Sequence, residues 1–222
     1  NQRRLGDRGV GADRERPVLV NNWEATEFDF DKRKLLALAK EAAALGIELF
    51  VLDDGWFGER SDDKRGLGDW TVNRKKLPGG LSALVKKITA LGLQFGIWVE
   101  PEMVNEDSRL FREHPDWAVR CPGREPSRSR NQLVLDLCKP EVRQYLVESM
   151  SAVFSSADIS YVKWDMNRNL SDQYSGSLPA GRQGEFCHRS VLGLYEILGE
   201  LTKRFPDILF ESCASGGNRF DL

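Results

Sequence analysis

Six short apolar runs punctuate the chain, at 17–21 (PVLVN), 47–52 (IELFVL), 94–99 (QFGIWV), 132–137 (QLVLDL), 160–164 (SYVKW) and 207–211 (DILFE). Continuous apolar runs of this length predict strands buried on both faces. Between them lie stretches with helical period. Over 31–46, Leu35, Leu38, Ala39, Ala42 and Leu45 recur on one face, with Asp31 placed to cap the helix and Gly46 to stop it. GGLSALVKKITALG (79–92) repeats the device and stops at Gly92, while 139–154 opens with Pro140 and Glu141 in its first turn. The 184–205 stretch carries Val191, Leu194, Leu198, Leu201 and Phe205 on one face, and a shorter helix is expected over 107–113. Residues 1–16 are charged and glycine-bearing and read as a linker or lead-in.

Strand and helix in alternation predict a parallel α/β fold over 17–222, either an open doubly wound sheet or a (β/α)8 TIM barrel. No GxGxxG follows the first strand, which weakens the dinucleotide-binding form of the open sheet. The polar residues decide between the two. Each run ends in chemistry: Asn21, Asn22 and Trp23; Asp53 and Asp54; Trp98, Glu100 and Glu102; Asp136; Lys163, Asp165 and Asn167; Glu211 and Cys213. A barrel gathers such strand ends on one face, whereas an open sheet spreads them along an edge. A barrel is therefore expected, with about six of its eight strands present.

Composition sets the surroundings of that chemistry. Hydrophobic residues are 41%, charged residues 30% and the net charge is −2, so no general attraction to nucleic acid or membrane is expected. No apolar stretch reaches the length of a membrane span. Cys121, Cys138, Cys187 and Cys213 show no CxxC spacing, which fits reduced thiols in a cytoplasmic protein. His114 and His188 lie far apart without a ligand pattern, so neither metal nor other cofactor is expected. Carboxylates, amides, a lysine and tryptophans suit a sugar: hydroxyls need fixed donors and acceptors, and the C–H face of a pyranose packs on an indole.

At LDDGWFG (52–58), GIWVEPEM (96–103), VKWDMNR (162–168) and ESCASGGNRFD (211–221), the chain resembles the bacterial melibiase-type α-galactosidases of glycoside hydrolase family 36. NNWEA (21–25), GDWTVNRKKLPGGL (68–81) and HPDW (114–117) belong to the same pattern. The resemblance implies a retaining α-galactosidase acting on oligosaccharides such as melibiose and raffinose. It assigns Asp165 as nucleophile, Asp53 and Asp54 as holders of the galactose hydroxyls, and Trp98, Arg130, Lys163, Asn167, Cys213 and Gly216 as pocket lining, with Trp23 at the rim. Asn218 departs from a frequent glycine of the family. Asp221 is only a weak candidate for acid/base, since the resemblance places that aspartate beyond Leu222. It also implies flanking β-domains, so the chain is expected to be part of a catalytic domain and to form a homo-oligomer when full length.

Plainer readings stand beside these. Trp98 could be core, Arg130 part of a solvated loop, and Cys213 a small wall residue. Glu100 and Glu102 could brace the site without touching sugar. Trp70, Trp117 and Trp164 read most simply as packing. Two other functions remain open: a galactose-binding segment without turnover, and a related transglycosylase or α-N-acetylgalactosaminidase.

Overall fold

The computed structural model describes residues 15–214. Five strands form one wholly parallel sheet: β1 (Leu19–Asn21), β2 (Leu49–Leu52), β3 (Gln94–Val99), β6 (Tyr161–Trp164) and β7 (Leu209–Ser212). Their spatial order follows the chain, each strand pairing with the previous strand of the sheet. Connecting them are α1 (Trp23–Thr26), α2 (Lys32–Ala44), α3 (Gly80–Thr89), α4 (Arg109–Glu113), α5 (Pro140–Ser155) and α6 (Phe186–Arg204).

Strand alternation divides the sheet into two faces. Phe50, Leu52, Phe95, Ile97, Val99, Val162 and Trp164 share one large core with Leu35 of α2, Leu84 of α3, Leu146 of α5 and Ile197 of α6. Leu49, Val51 and Tyr161, with Leu209 beside them, form a separate small cluster on the other face. The crossover helices thus cover one face, and the strand order never reverses. A doubly wound sheet needs helices on both faces and a reversal; a barrel wall needs neither. Gly96 makes the inner face possible, because a Cβ there would lie 2.9 Å from the Tyr161 ring and 3.1 Å from Val51 Cγ2.

The helix signals behave as expected in most places. Asp31 caps α2 by accepting the Lys34 N–H at 2.8 Å, Gly46 takes a left-handed φ of 80° just past its end, and Pro140 opens α5. Leu45 is an exception, being 82% exposed at the C-cap where the helical face has turned away from the sheet. On α6, Ile197 joins Leu194 and Leu201 in the core, while Val191 and Leu198 are only half-buried.

One predicted strand does not join the sheet. Of the 132–137 run, Leu133–Val134 forms β5 and pairs antiparallel with β4 (Met103–Val104), so the described sheet has five strands rather than six. Leu135 N–H donates to Glu102 O at 2.9 Å and Asp136 N–H to Trp117 O at 2.8 Å. Apolar continuity signals burial on both faces, and a short ladder within the long β3–β6 connection satisfies it as well as a barrel strand would. Asp136 is consequently not part of the convergent set: it accepts from Ser175 Oγ at 2.6 Å and from Cys138 N at 3.0 Å.

Candidate active site

The sheet register explains how the site is assembled. Val51, Gly96, Tyr161 and Leu209 lie in one row across the inner face. Trp98, Lys163 and Glu211 make the next row toward the C-terminal ends. One step further the alternation brings Glu100, Asp165 and Cys213 together, and ladder bonds hold them there: Asp165 N–H donates to Val99 O and Cys213 N–H to Trp164 O, both at 2.8 Å. The inner face is therefore apolar at its lower level and polar at its rim.

A cleft of about 320 Å3 opens at this rim. Every site residue expected from sequence within 15–214 lines it: Trp23, Asp53, Asp54, Trp98, Arg130, Lys163, Asp165, Asn167 and Cys213. Gly216 and Asp221 lie outside the described residues. Two larger clefts exist, of about 560 and 400 Å3. The first is a basic groove between α2 and α3 and the second, beside Asp136, is lined by Asp116, Arg120 and Tyr174; neither holds an adjacent pair of buried acids beside a lysine, so chemistry rather than size identifies the site.

Asp165 is the most elaborately held group. Its Oδ2 accepts from Trp98 Nε1 at 3.0 Å and Asn167 Nδ2 at 2.7 Å, and its Oδ1 from Met166 N at 2.9 Å. Burial pushes its carboxyl up, but the hydrogen bonds from Cys213, Trp98, Asn167 and Met166 outweigh burial and leave it below the usual carboxylate range. These donors, more than Lys163, keep Asp165 ionised. Lys163 instead pairs directly with Asp53, Nζ to Oδ2 at 3.0 Å, and it remains above its ordinary value although burial pulls the other way.

The acid pair is supported from two sides. Asn21 Nδ2 donates to Asp53 Oδ2 at 2.5 Å, and Asn22 Oδ1 accepts the Asp53 N–H at 2.8 Å. Asp54 receives a bidentate fork from Arg60, Nε to Oδ1 at 2.6 Å and Nη2 to Oδ2 at 2.7 Å, with both side chains buried. Burial pushes the Asp54 carboxyl up, opposed by that guanidinium. Arg60 is fixed in turn by Asn105 Oδ1 at 3.0 Å and Arg65 O at 2.9 Å, and lies over the rings of Phe28 and Phe57.

Glu100 is fully buried and lines the cleft. Its Oε1 accepts Asn167 N–H at 2.5 Å and its Oε2 accepts Gln132 Nε2 at 3.1 Å. Burial pushes its carboxyl up to about 7, moderated by the Asn167 N–H and reinforced by the charge of Asp165. Glu102 braces more remotely, accepting Trp164 Nε1 at 2.8 Å. Trp98 belongs to the core and to the site at once, since its indole stacks 6.2 Å from the Phe57 ring while its N–H reaches Asp165.

Arg60, Gln132, Phe28 and Asp63 also line the cleft and were not among the expected site residues. Arg60 sits in GERSDDKRG, a charged stretch that reads as solvated surface. Gln132 heads an apolar run and carries no pattern of its own. Only long-range pairing identifies either one. Among the described residues no group of three or more His, Cys, Asp or Glu is placed to hold a metal ion, and no helix is long and apolar enough to cross a membrane.

The sequence model of the Melibiase family matches residues 3–222. The chain belongs to the Melibiase family. Among its relatives, the Geobacillus stearothermophilus α-galactosidase AgaA is 59% identical over 214 residues, 96% of this chain and 29% of that protein. The Lactobacillus acidophilus α-galactosidase Mel36A is 54% identical over 210 residues, 95% of this chain and 29% of that protein. This Melibiase-family chain thus spans about 29% of the length of these relatives. A solved AgaA variant in complex with raffinose superposes with a TM-score of 0.94 at 59% identity, covering 96% of this chain and 30% of that one. The resemblance drawn from the four motifs is thereby shown at family level.

Proposed function

We propose that this chain supplies the nucleophile-bearing part of a (β/α)8 barrel in a retaining α-galactosidase, acting on terminal α-galactosyl units of oligosaccharides such as raffinose and melibiose. The observation that carries the reading is the placement of one multiply hydrogen-bonded carboxylate, Asp165, in the same cleft as the Asp53–Asp54 pair. Support comes also from the relatives, which are α-galactosidases, and from the raffinose bound to an AgaA variant.

In this reading Asp53 and Asp54 accept hydrogen bonds from sugar hydroxyls, Lys163 donates one, and Trp98 backs the pocket wall behind Asp165. Arg130, Asn167, Cys213 and Gly216 complete the wall, and Trp23 stands at the rim. A carboxylate oxygen of Asp165 attacks C1 of the galactosyl unit as the bond from C1 to the glycosidic oxygen breaks. The electron pair leaves on that oxygen, which takes a proton from an acid residue, and a galactosyl ester of Asp165 forms. Water, losing its proton to the conjugate base of that acid, then attacks C1 and frees Asp165, so two inversions give net retention. The acid/base aspartate belongs outside residues 15–214.

The test uses the full-length protein containing this chain and an aryl α-galactoside. The expected result is release of α-galactose as the first anomer by NMR, with D165N lowering kcat by roughly 10^4-fold. Galactose binding without turnover in the unsubstituted protein would return the binding-segment reading instead.

A further inference from the structure

The last residue of the VKWDMNR motif has no role in the chemistry above, yet Arg168 is only 3% exposed. Among the described residues no carboxylate lies within ion-pair distance of it. Its hydrogen bonds go to backbone and hydroxyl: Nη1 donates to Ser127 O and Gln132 O, both at 2.7 Å, Nη2 to Ser171 Oγ at 2.6 Å, and Nε to Asn169 O at 3.1 Å. Burying a guanidinium without a directly paired anion is costly, and among the described residues only the nearby charge of Asp172 offsets the burial of Arg168.

Ser127 and Gln132 flank a two-residue hairpin turn. Ser129 and Gln132 exchange backbone bonds at 3.0 and 3.3 Å, and the central residues Arg130 and Asn131 have φ of 50° and 58°. Hairpins with both central residues left-handed favour Asn and Gly. Asn131 suits its place, whereas arginine at the first position does not, and such an outlier points to function. The Arg130 side chain lines the sugar cleft. Two further ties fix the turn: Asp172 Oδ2 accepts the Ser127 N–H at 2.7 Å, and Asn105 Nδ2 donates to Asn131 O at 2.7 Å.

We propose that Arg168 is a positioning residue that straps the strained Arg130 turn to the segment carrying Asp165, so that Arg130 meets the substrate at a fixed distance from the nucleophile. This rests on the α-galactosidase reading and goes beyond it by assigning a role to Arg168 and, through Ser127, to Ser171 and Asp172.

The test is a kinetic cycle in the full-length protein. In R168K the charge is kept, but the shorter side chain loses the planar fork in which one nitrogen holds both carbonyls and the other holds the Ser171 hydroxyl. KM for an aryl α-galactoside is expected to rise about tenfold with kcat within about threefold, as for loss of uniform binding. The double variant R168K/R130A is expected to match R130A within about twofold, because the strap acts only through Arg130. Multiplying effects, or a fall in kcat at unchanged KM, overturn the proposal. Should R168K not fold, S171A and D172A decide: each is expected to raise KM two- to fivefold in the parent and not in the R130A background, and an unchanged parent KM overturns it. An unsubstituted protein that neither cleaves nor binds galactosides would overturn the α-galactosidase reading, and the strap with it.

Discussion

The cleft has two walls built by different means. One consists of residues at or just beyond strand ends, Asp53, Trp98, Lys163 and Asp165, whose places follow from ladder register. The other consists of loop residues, Arg60, Arg130 and Gln132, whose places depend on contacts from distant parts of the chain. A parallel ladder fixes side-chain direction through the backbone, and the donors added on the strand wall, such as Trp98 and Asn167 on Asp165 and Lys163 on Asp53, come from neighbouring residues of the same rim. The loop wall needs buried cations, Arg60 and Arg168, each held by several polar atoms. Position on the strand wall is thus supplied by the sheet, while position on the loop wall costs desolvated charge.

This contrast can be broken experimentally, most severely at Arg60. R60M leaves Asp54 buried without its fork, and a loss of about 3–5 kcal/mol in unfolding free energy is expected by denaturant titration. A loss below about 1 kcal/mol would mean that the loop wall is not held as described.

Next in size is a pH effect. Glu100 carries a carboxyl raised above its unfolded value, so its contribution to stability is full below about pH 4.5 and is lost as pH rises through about 7. E100Q cannot titrate, and its melting temperature should fall less than the parent's between pH 4 and 8. The corresponding difference in unfolding free energy is on the order of 3 kcal/mol. Parallel pH curves for the two proteins would contradict the burial assigned to Glu100.

A smaller effect is expected on the strand wall. W98F removes one donor to Asp165, so kcat should fall roughly tenfold, the worth of a hydrogen bond to a charged group. The same loss raises the Asp165 carboxyl, moving the acid limb of kcat/KM to higher pH. Smallest of all, R130A should change stability by less than about 0.5 kcal/mol because the side chain is exposed, while still raising KM. A kcat effect from R130A larger than that from W98F would reverse the division between the walls.

The same division explains what could be read in advance. Asp165, Lys163 and Trp98 were legible because alternation along a strand predicts direction, and the motifs around them are dense. The parallel order was legible from the spacing of apolar runs. The 132–137 run was misread because an apolar hexapeptide records burial and not its pairing partner. Arg60 was illegible because nothing in GERSDDKRG separates a buried arginine from its solvated neighbours. For Lys163, spacing along one strand shows its direction, but the approach of its partner Asp53 from another strand is not visible in sequence.

In the proposed reaction Asp165 becomes covalently galactosylated. A fluorinated galactosyl donor with a good leaving group, which slows breakdown of the glycosyl-enzyme, should label the full-length protein stoichiometrically. Peptide mass mapping is then expected to place the added mass on Asp165. A label on Glu100 or any other side chain, or turnover with no covalent intermediate and an inverted first product, would rule out Asp165 as the nucleophile.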